Sequence, residues 1–273
     1  MSESWRPSLV ALDVDGTLLA WATGRGGTIE HLTDAVRSAV VDASVEATIV
    51  LASGRSIHAM VPVLDALGLG TPDDPVWAVA ANGAVVFRYP PVEVVHEETF
   101  DARPAVAAIL AKHPDVMVAV EERGVGYRLN QVFPAGELDG EMIIADTDSL
   151  IAEPVSRVII RDPDASVEDF VTLAEGLGLH GTNYVVGWTA WLDLSPVGVD
   201  KASGLEVVAR LLGVDRVDVL AIGDGRNDKE MLAWAGRGVA MGQAVDEVRD
   251  AADAVTGTVD EDGVATELRR YFS

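Results

Sequence analysis

The chain has 273 residues, 49% of them hydrophobic and few aromatic, which fits a soluble α/β protein of one large domain or two modest ones. Its formal net charge of −24 argues against nucleic acid and anionic membranes as partners, because a phosphate backbone is bound mainly through Lys and Arg. The complete lack of cysteine excludes disulfides, thiol catalysis and Cys-ligated metals. No apolar run reaches the length of a membrane span and the N-terminus has no signal-peptide pattern, so the expected location is the cytoplasm.

Taken in order, "SLVALDV" reads as a buried strand that runs into Asp13 and Asp15, followed by the Gly16-Thr17 break. "TIEHLTDAVRSAVVDA" has apolar residues at helical spacing, and its first residue, Thr28, is the expected N-cap. "VEATIVLAS" is the next strand, and "RSIHAMVPVLDALGLG" a helix closed by glycines. "VWAVAANGAVVF" predicts two strands around an Asn82-Gly83 turn. The character changes near Arg88-Tyr89-Pro90-Pro91. Beyond it come a helix in "ARPAVAAILAKH" and a hairpin in "VMVAVEERGVGYRLN" turning near Gly124. A strand "VSRVIIRD", a helix "SVEDFVTLAEGLG" and a strand or hairpin "NYVVGWTAWLDLSP" follow. After Ser195-Pro196 the α/β rhythm resumes with helix "KASGLEVVARLLG", strand "DVLAIGD", helix "NDKEMLAWAG", strand "GVAMG" and helix "AVDEVRDAA". The expectation is a doubly wound parallel sheet with helices on both faces, formed by residues 1–87 and 195–273, with an inserted α+β domain at 88–194.

Polar residues end three of the predicted core strands: Asp13 and Asp15, then Ser53-Gly54-Arg55, then Asp224. Ligands of open α/β sheets bind beyond the carboxyl ends of the strands, so these groups would meet at one edge, with Lys201 at the start of a nearby helix. Asp13, Asp15, Asp224 and Asp228 cannot all be charged and close together without a large Coulomb penalty, which a hard divalent cation such as Mg2+ relieves. One carboxylate could then attack phosphorus, and a second, two residues on, could serve the leaving oxygen and the water. Ser53 and Lys201 would hold phosphoryl oxygens as charge develops. Each piece has a plainer reading. "DxDGT" is equally a turn, Ser53 a helix cap, Lys201 a solvated helix residue, and Asp224, Asn227 and Asp228 caps of the next helix. Their joint order along the chain favours a site.

That order resembles the haloacid-dehalogenase-like (HAD) phosphatases: "DVDGTLL" at 13–19, "SGR" at 53–55, Lys201 in "GVDKASGL", and "GDGRND" at 223–228. "AANGA" at 80–84 and the C-terminal "AMGQAVDEVRDAADAVTGTVDEDGVATEL" resemble the Cof-type branch, subclass IIB. The resemblance implies a Rossmann-like core with the insertion as a cap domain. It implies Asp13 as nucleophile, Asp15 as general acid/base and Lys201 as the residue that orients Asp13. Phosphate would be bound by Ser53, Gly54, Lys201 and Asn227. Mg2+ would be held by Asp13, the Asp15 carbonyl and Asp224, with Asp228 directly or one shell out. Arg55, Asn82 and Trp188 are candidate substrate contacts, and Arg123, Tyr127 and Arg128 weaker ones on the insertion's hairpin. The implied activity is Mg2+-dependent hydrolysis of small phosphorylated metabolites, sugar phosphates first, by a monomer or homodimer. A phosphomutase and a non-catalytic phosphometabolite-binding protein are the alternatives. "GLGLHG" at 176–181 matches a dinucleotide-binding pattern but follows a helix and opens none, so it fails its context. The five histidines have no ligand spacing.

Overall fold

A computed structural model of the chain describes residues 5–24, 27–122, 125–138, 140–162, 166, 182–186 and 191–272. These residues divide into two compact units. One comprises Met1–Gly54, Val61–Val95 and Asp200–Ser273, the other Arg55–Met60 and His96–Val199.

The first unit is built on a sheet whose central strand is β1 (Leu9–Leu12), followed by the hairpin β2 (Ala20–Gly24) and β3 (Gly27–His31). Helix α1 (Asp34–Ser44), β4 (Thr48–Ala52), α2 (Ile57–Leu67), β5 (Val76–Ala80), β6 (Val85–Tyr89) and β7 (Glu93–Glu97) come next. All four residues of β1 are buried, as are Ile49 to Ala52 of β4. Such unbroken apolar runs mark parallel strands covered on both faces. Helix α1 buries Val36, Ala39, Val40 and Ala43, one stripe at helical spacing.

The second unit continues with α3 (Arg103–Lys112), β8 (Met117–Glu122), β9 (Gly126–Leu129), β10 (Glu141–Ile144), α4 (Thr147–Leu150), β11 (Val158–Arg161), β12 (Thr182–Val186) and β13 (Trp191–Pro196). Its sheet runs β10-β9-β8-β11-β13-β12, antiparallel except for the β9–β10 pair. Strand alternation sends Val118, Val120, Val158, Ile160, Leu192 and Leu194 to one face, where they share a core with Val106 and Ile109 of α3 and Leu150 of α4. Ala119, Tyr127, Leu129, Phe133 and Ile159 form a smaller cluster. The turn of the β8–β9 hairpin, Arg123, the helix expected in "SVEDFVTLAEGLG", the glycines at 176–181 and Trp188 lie outside the described residues.

The chain then completes the first sheet with α5 (Lys201–Leu212), β14 (Val219–Gly223), α6 (Lys229–Trp234), β15 (Arg237–Ala240), the single turn α7 (Asp246–Arg249), β16 (Ala254–Val255) and α8 (Gly263–Leu268). The order is β16-β15-β14-β1-β4-β5-β6-β7, parallel from β16 through β5, with β6 antiparallel to β5. The architecture is thus α/β, a Rossmann-like sheet interrupted by an α+β insertion. Helix α5 is sharply bounded: Asp200 and Ser203 form a reciprocal capping box, and Gly213 ends it in the left-handed region at φ 69°. No helix among the described residues is long and apolar enough to cross a membrane.

One helix start differs from expectation. Thr28 lies in β3, and the cap is Thr33, whose Oγ1 accepts the Val36 N–H at 3.1 Å. "TIEH" alternates polar and apolar residues, a strand signal, whereas the helical stripe begins only at Val36.

Candidate active site

Register brings the expected residues to one end of the sheet. Leu12 pairs with both Leu51 and Ile222, so the residues that leave β1, β4 and β14 emerge side by side. Asp13 leaves β1 with its N–H bonded to the Ile222 carbonyl at 3.0 Å. Ser53 leaves β4, is buried, and donates its N–H to the Val79 carbonyl at 2.9 Å. Asp224 leaves β14, and its carboxylate lies where a side chain on Gly16 would stand: a Cβ there would be 2.4 Å from Oδ2. Gly16 also holds φ at +79°, so glycine is needed twice over.

Lys201 is fully buried in the first turn of α5, and its Nζ donates to Asp13 Oδ1 and to Asp228 Oδ1, each at 2.6 Å. Asp228 is fully buried too, and its second oxygen accepts the N–H groups of Asp224 (3.0 Å) and Gly225 (2.8 Å). The plain reading of Lys201 as a solvated helix residue is therefore wrong. Burial alone would push its ammonium pKa down, but the Asp13 and Asp228 charges raise it above the ordinary lysine value.

Asp13, Asp224 and Asp228 each offer an oxygen within 4.8 Å of the others. Burial, then the Asp228 charge, raises the Asp13 pKa well above the usual carboxylate range, with Lys201 opposing. Burial and Asp228 likewise raise Asp224 to about 6. Three carboxylates face one ammonium, which leaves two negative charges uncompensated when all are ionised. An all-oxygen donor set with that deficit fits a hard divalent cation.

Asp15 is half-buried and its side chain is not one of the three clustered carboxylates. Asn227 donates its Nδ2 to Asn82 Oδ1 at 2.9 Å. Arg55 groups with the inserted unit, where its guanidinium reaches the Ala59 carbonyl at 3.5 Å. Two supporting residues were not anticipated. Thr17 donates to Asp224 Oδ1 at 3.3 Å, and Gln243 donates to Asp224 Oδ2 at 3.3 Å and to the Gly16 carbonyl at 2.5 Å. Gln243 lies three residues past the end of β15, so the strand-end rule that found Asp224 would have found it as well.

The model of the haloacid dehalogenase-like hydrolases matches residues 10–268. The chain belongs to that family. A phosphoglycolate phosphatase of Natronomonas pharaonis is 32% identical over 262 residues, which span 96% of both chains. The 5-amino-6-(5-phospho-D-ribitylamino)uracil phosphatase of Bacillus subtilis is 27% identical over 98% of each chain. Among solved structures, a phosphatase of the haloalkanoate (HAD) superfamily from Bacteroides thetaiotaomicron superposes with a TM-score of 0.79 at 26% identity, covering 99% of this chain and 97% of its own. This HAD-like hydrolase is an enzyme of the phosphatase type.

Proposed function

We propose that this hydrolase removes phosphate from small phosphorylated metabolites in the cytoplasm, through an aspartyl-phosphate formed on Asp13. The observation that carries the reading is the Lys201 ammonium held 2.6 Å from Asp13 in a buried cluster with a deficit of positive charge. A carboxylate in that position is oriented and stripped of water, as a nucleophile must be, and the Lys201 charge opposes the burial that favours its neutral form. Asp13 attacks phosphorus, the ester P–O bond breaks, and Asp15 gives its proton to the leaving oxygen. Asp15 then takes a proton from water, which attacks the aspartyl-phosphate and frees inorganic phosphate. Ser53, the Gly54 N–H, Asn227 and Lys201 hold the phosphoryl oxygens. Asp13, Asp224 and the Asp15 carbonyl would hold Mg2+, which would supply neutralising charge at the phosphoryl group when bound. Asp228 spends both its oxygens on Lys201 and on two N–H groups, which suits it to anchor the cluster rather than to ligate.

Sugar phosphates and related hydroxylated phosphomonoesters are the proposed substrates. The two relatives above are named for phosphoglycolate and for a phosphorylated ribityl compound, both small phosphate-bearing organic molecules. The inserted unit, as a cap domain, would exclude larger ones. The test is inorganic phosphate release from a panel of phosphometabolites with Mg2+. Release that disappears on chelation is expected, whereas isomerisation without release would favour a mutase, and inertness toward the whole panel a binding protein.

A further inference from the structure

The turn from β5 to β6 is strained at residues that are not glycine. Ala81 and Asn82 both sit in the left-handed region, at φ 50° and 52°, and Gly83 follows at 105°. Asparagine tolerates this conformation but alanine does so at a cost, which surrounding contacts have to offset.

Those contacts lead to three parts of the site. The Asn82 N–H donates to the Ser53 carbonyl at 3.0 Å. Its side chain lies flat against Gly54, where an added Cβ would come within 3.0 Å of Oδ1 and 3.1 Å of Nδ2. Its Oδ1 accepts from Asn227 Nδ2 at 2.9 Å. Gly83 presses on the start of the helix that carries Lys201: a Cβ there would stand 1.9 Å from the Asp200 carbonyl oxygen, and one on Gly204 would stand 3.0 Å from Gly83 Cα. One short turn thus touches the loop of Ser53, the loop of Asn227 and the N-terminus of α5.

We propose that Asn82 is a positioning residue, joining the Ser53 loop through its backbone and the Asn227 amide through its side chain, so that phosphate-binding groups from two distant segments keep one register. It acts through Asn227 and Ser53 rather than on substrate itself. An amide suits the task because it accepts from Asn227 without adding negative charge beside an incoming phosphate. The inference rests on the phosphoryl-transfer reading above.

A double-mutant cycle with p-nitrophenyl phosphate at saturating Mg2+ tests it, using Asn82→Gly, Asn227→Ala and the double variant. Glycine adopts the left-handed turn freely, so Asn82→Gly keeps the fold and its Tm while deleting the amide. Each single change is expected to lower kcat/KM about 10- to 100-fold, and the double variant to be no worse than Asn227→Ala alone. An Asn82→Gly enzyme within about twofold of wild type, or losses that multiply in the double variant, would overturn the proposal. Asp13→Asn, assayed alongside, separates the two readings. If it stays active the aspartyl-phosphate reading fails, whereas an inert Asp13→Asn with an additive cycle sinks only the role of Asn82.

Discussion

In the α/β unit Lys201 lies among Asp13, Asp224 and Asp228, whereas in the inserted unit Arg157 lies between Asp193 and Glu121. Both cations are buried, but their surroundings differ. Arg157 grips Asp193 with two bonds of 2.9 and 3.1 Å. Glu121 stands 3.9 Å away, and burial raises its pKa toward the neutral acid, with Arg157 opposing. One guanidinium, one carboxylate and one acid tending to neutrality close their own account of charge. The site cluster sets three carboxylates against a single ammonium, one more than the clasp, so ionising all of them leaves two negative charges for a bound cation to offset. Similar side chains therefore give a structural clasp where charge is balanced and a receptive site where it is not.

The largest effect expected is on turnover. Asp13→Asn should lower phosphate release on the order of 10⁴-fold or more, measured under saturating substrate and Mg2+. Arg157→Met should instead strand Asp193 in a buried site and cost about 3–5 kcal/mol in urea denaturation, while kcat per folded molecule stays unchanged. A loss of turnover without a loss of stability would show that the clasp is not merely structural.

Asp224→Asn should act with the opposite sign on the metal-free protein. Because the folded pKa of Asp224 is about 6 against an ordinary 3.8, the fold favours its neutral form. That contribution is complete below the unfolded pKa and is lost as pH rises through about 6. The variant should therefore match wild type at pH 4 and exceed it at pH 8, by up to about 3 kcal/mol. Mg2+ should stabilise wild type more at pH 8 than at pH 5, and the variant little at either. A pH-independent difference in Tm would break the contrast between the clusters.

The smallest effect belongs to Tyr127, which burial drives up to about 12 and which bonds the Ser56 side chain. Tyr127→Phe should cost about 1 kcal/mol at neutral pH, read from the urea midpoint, with no change in phosphate release.

Much of the site is written locally. Apolar runs that stop at Asp13, Ser53 and Asp224 mark three strand ends, and parallel register does the rest. The burial of Lys201 could not be read this way, because a lysine in the first turn of a helix is ordinarily solvated. Only the packing of α5 against β4, β5 and β6, which sets its first turn beside Asp13 and Asp228, makes it an interior cation. The cap of α1 was missed because two threonines five residues apart both precede apolar periodicity, and the hairpin claims the first. Asn82 was legible as a turn residue, but its bond to Asn227 joins positions 145 apart and follows from topology alone. The Arg157 clasp gave no local signal, since Glu121 and Asp193 lie on two separate strands and Arg157 just before a third.

The central place of β1 also bears on how the chain is made. One edge of β1 is covered by β4, which follows soon after it, but the other must wait for β14. At ribosomal rates of roughly 5–20 residues per second, Asp224 emerges roughly 10–40 s after Asp13. The strands of the inserted unit, all between Met117 and Pro196, are synthesised together within that interval. The nascent chain thus carries one uncovered edge of an apolar strand while the strands of the inserted unit are already complete. Asp224 and Asp228 therefore join Asp13 only late in synthesis, and a chain released before them lacks two of the three clustered carboxylates.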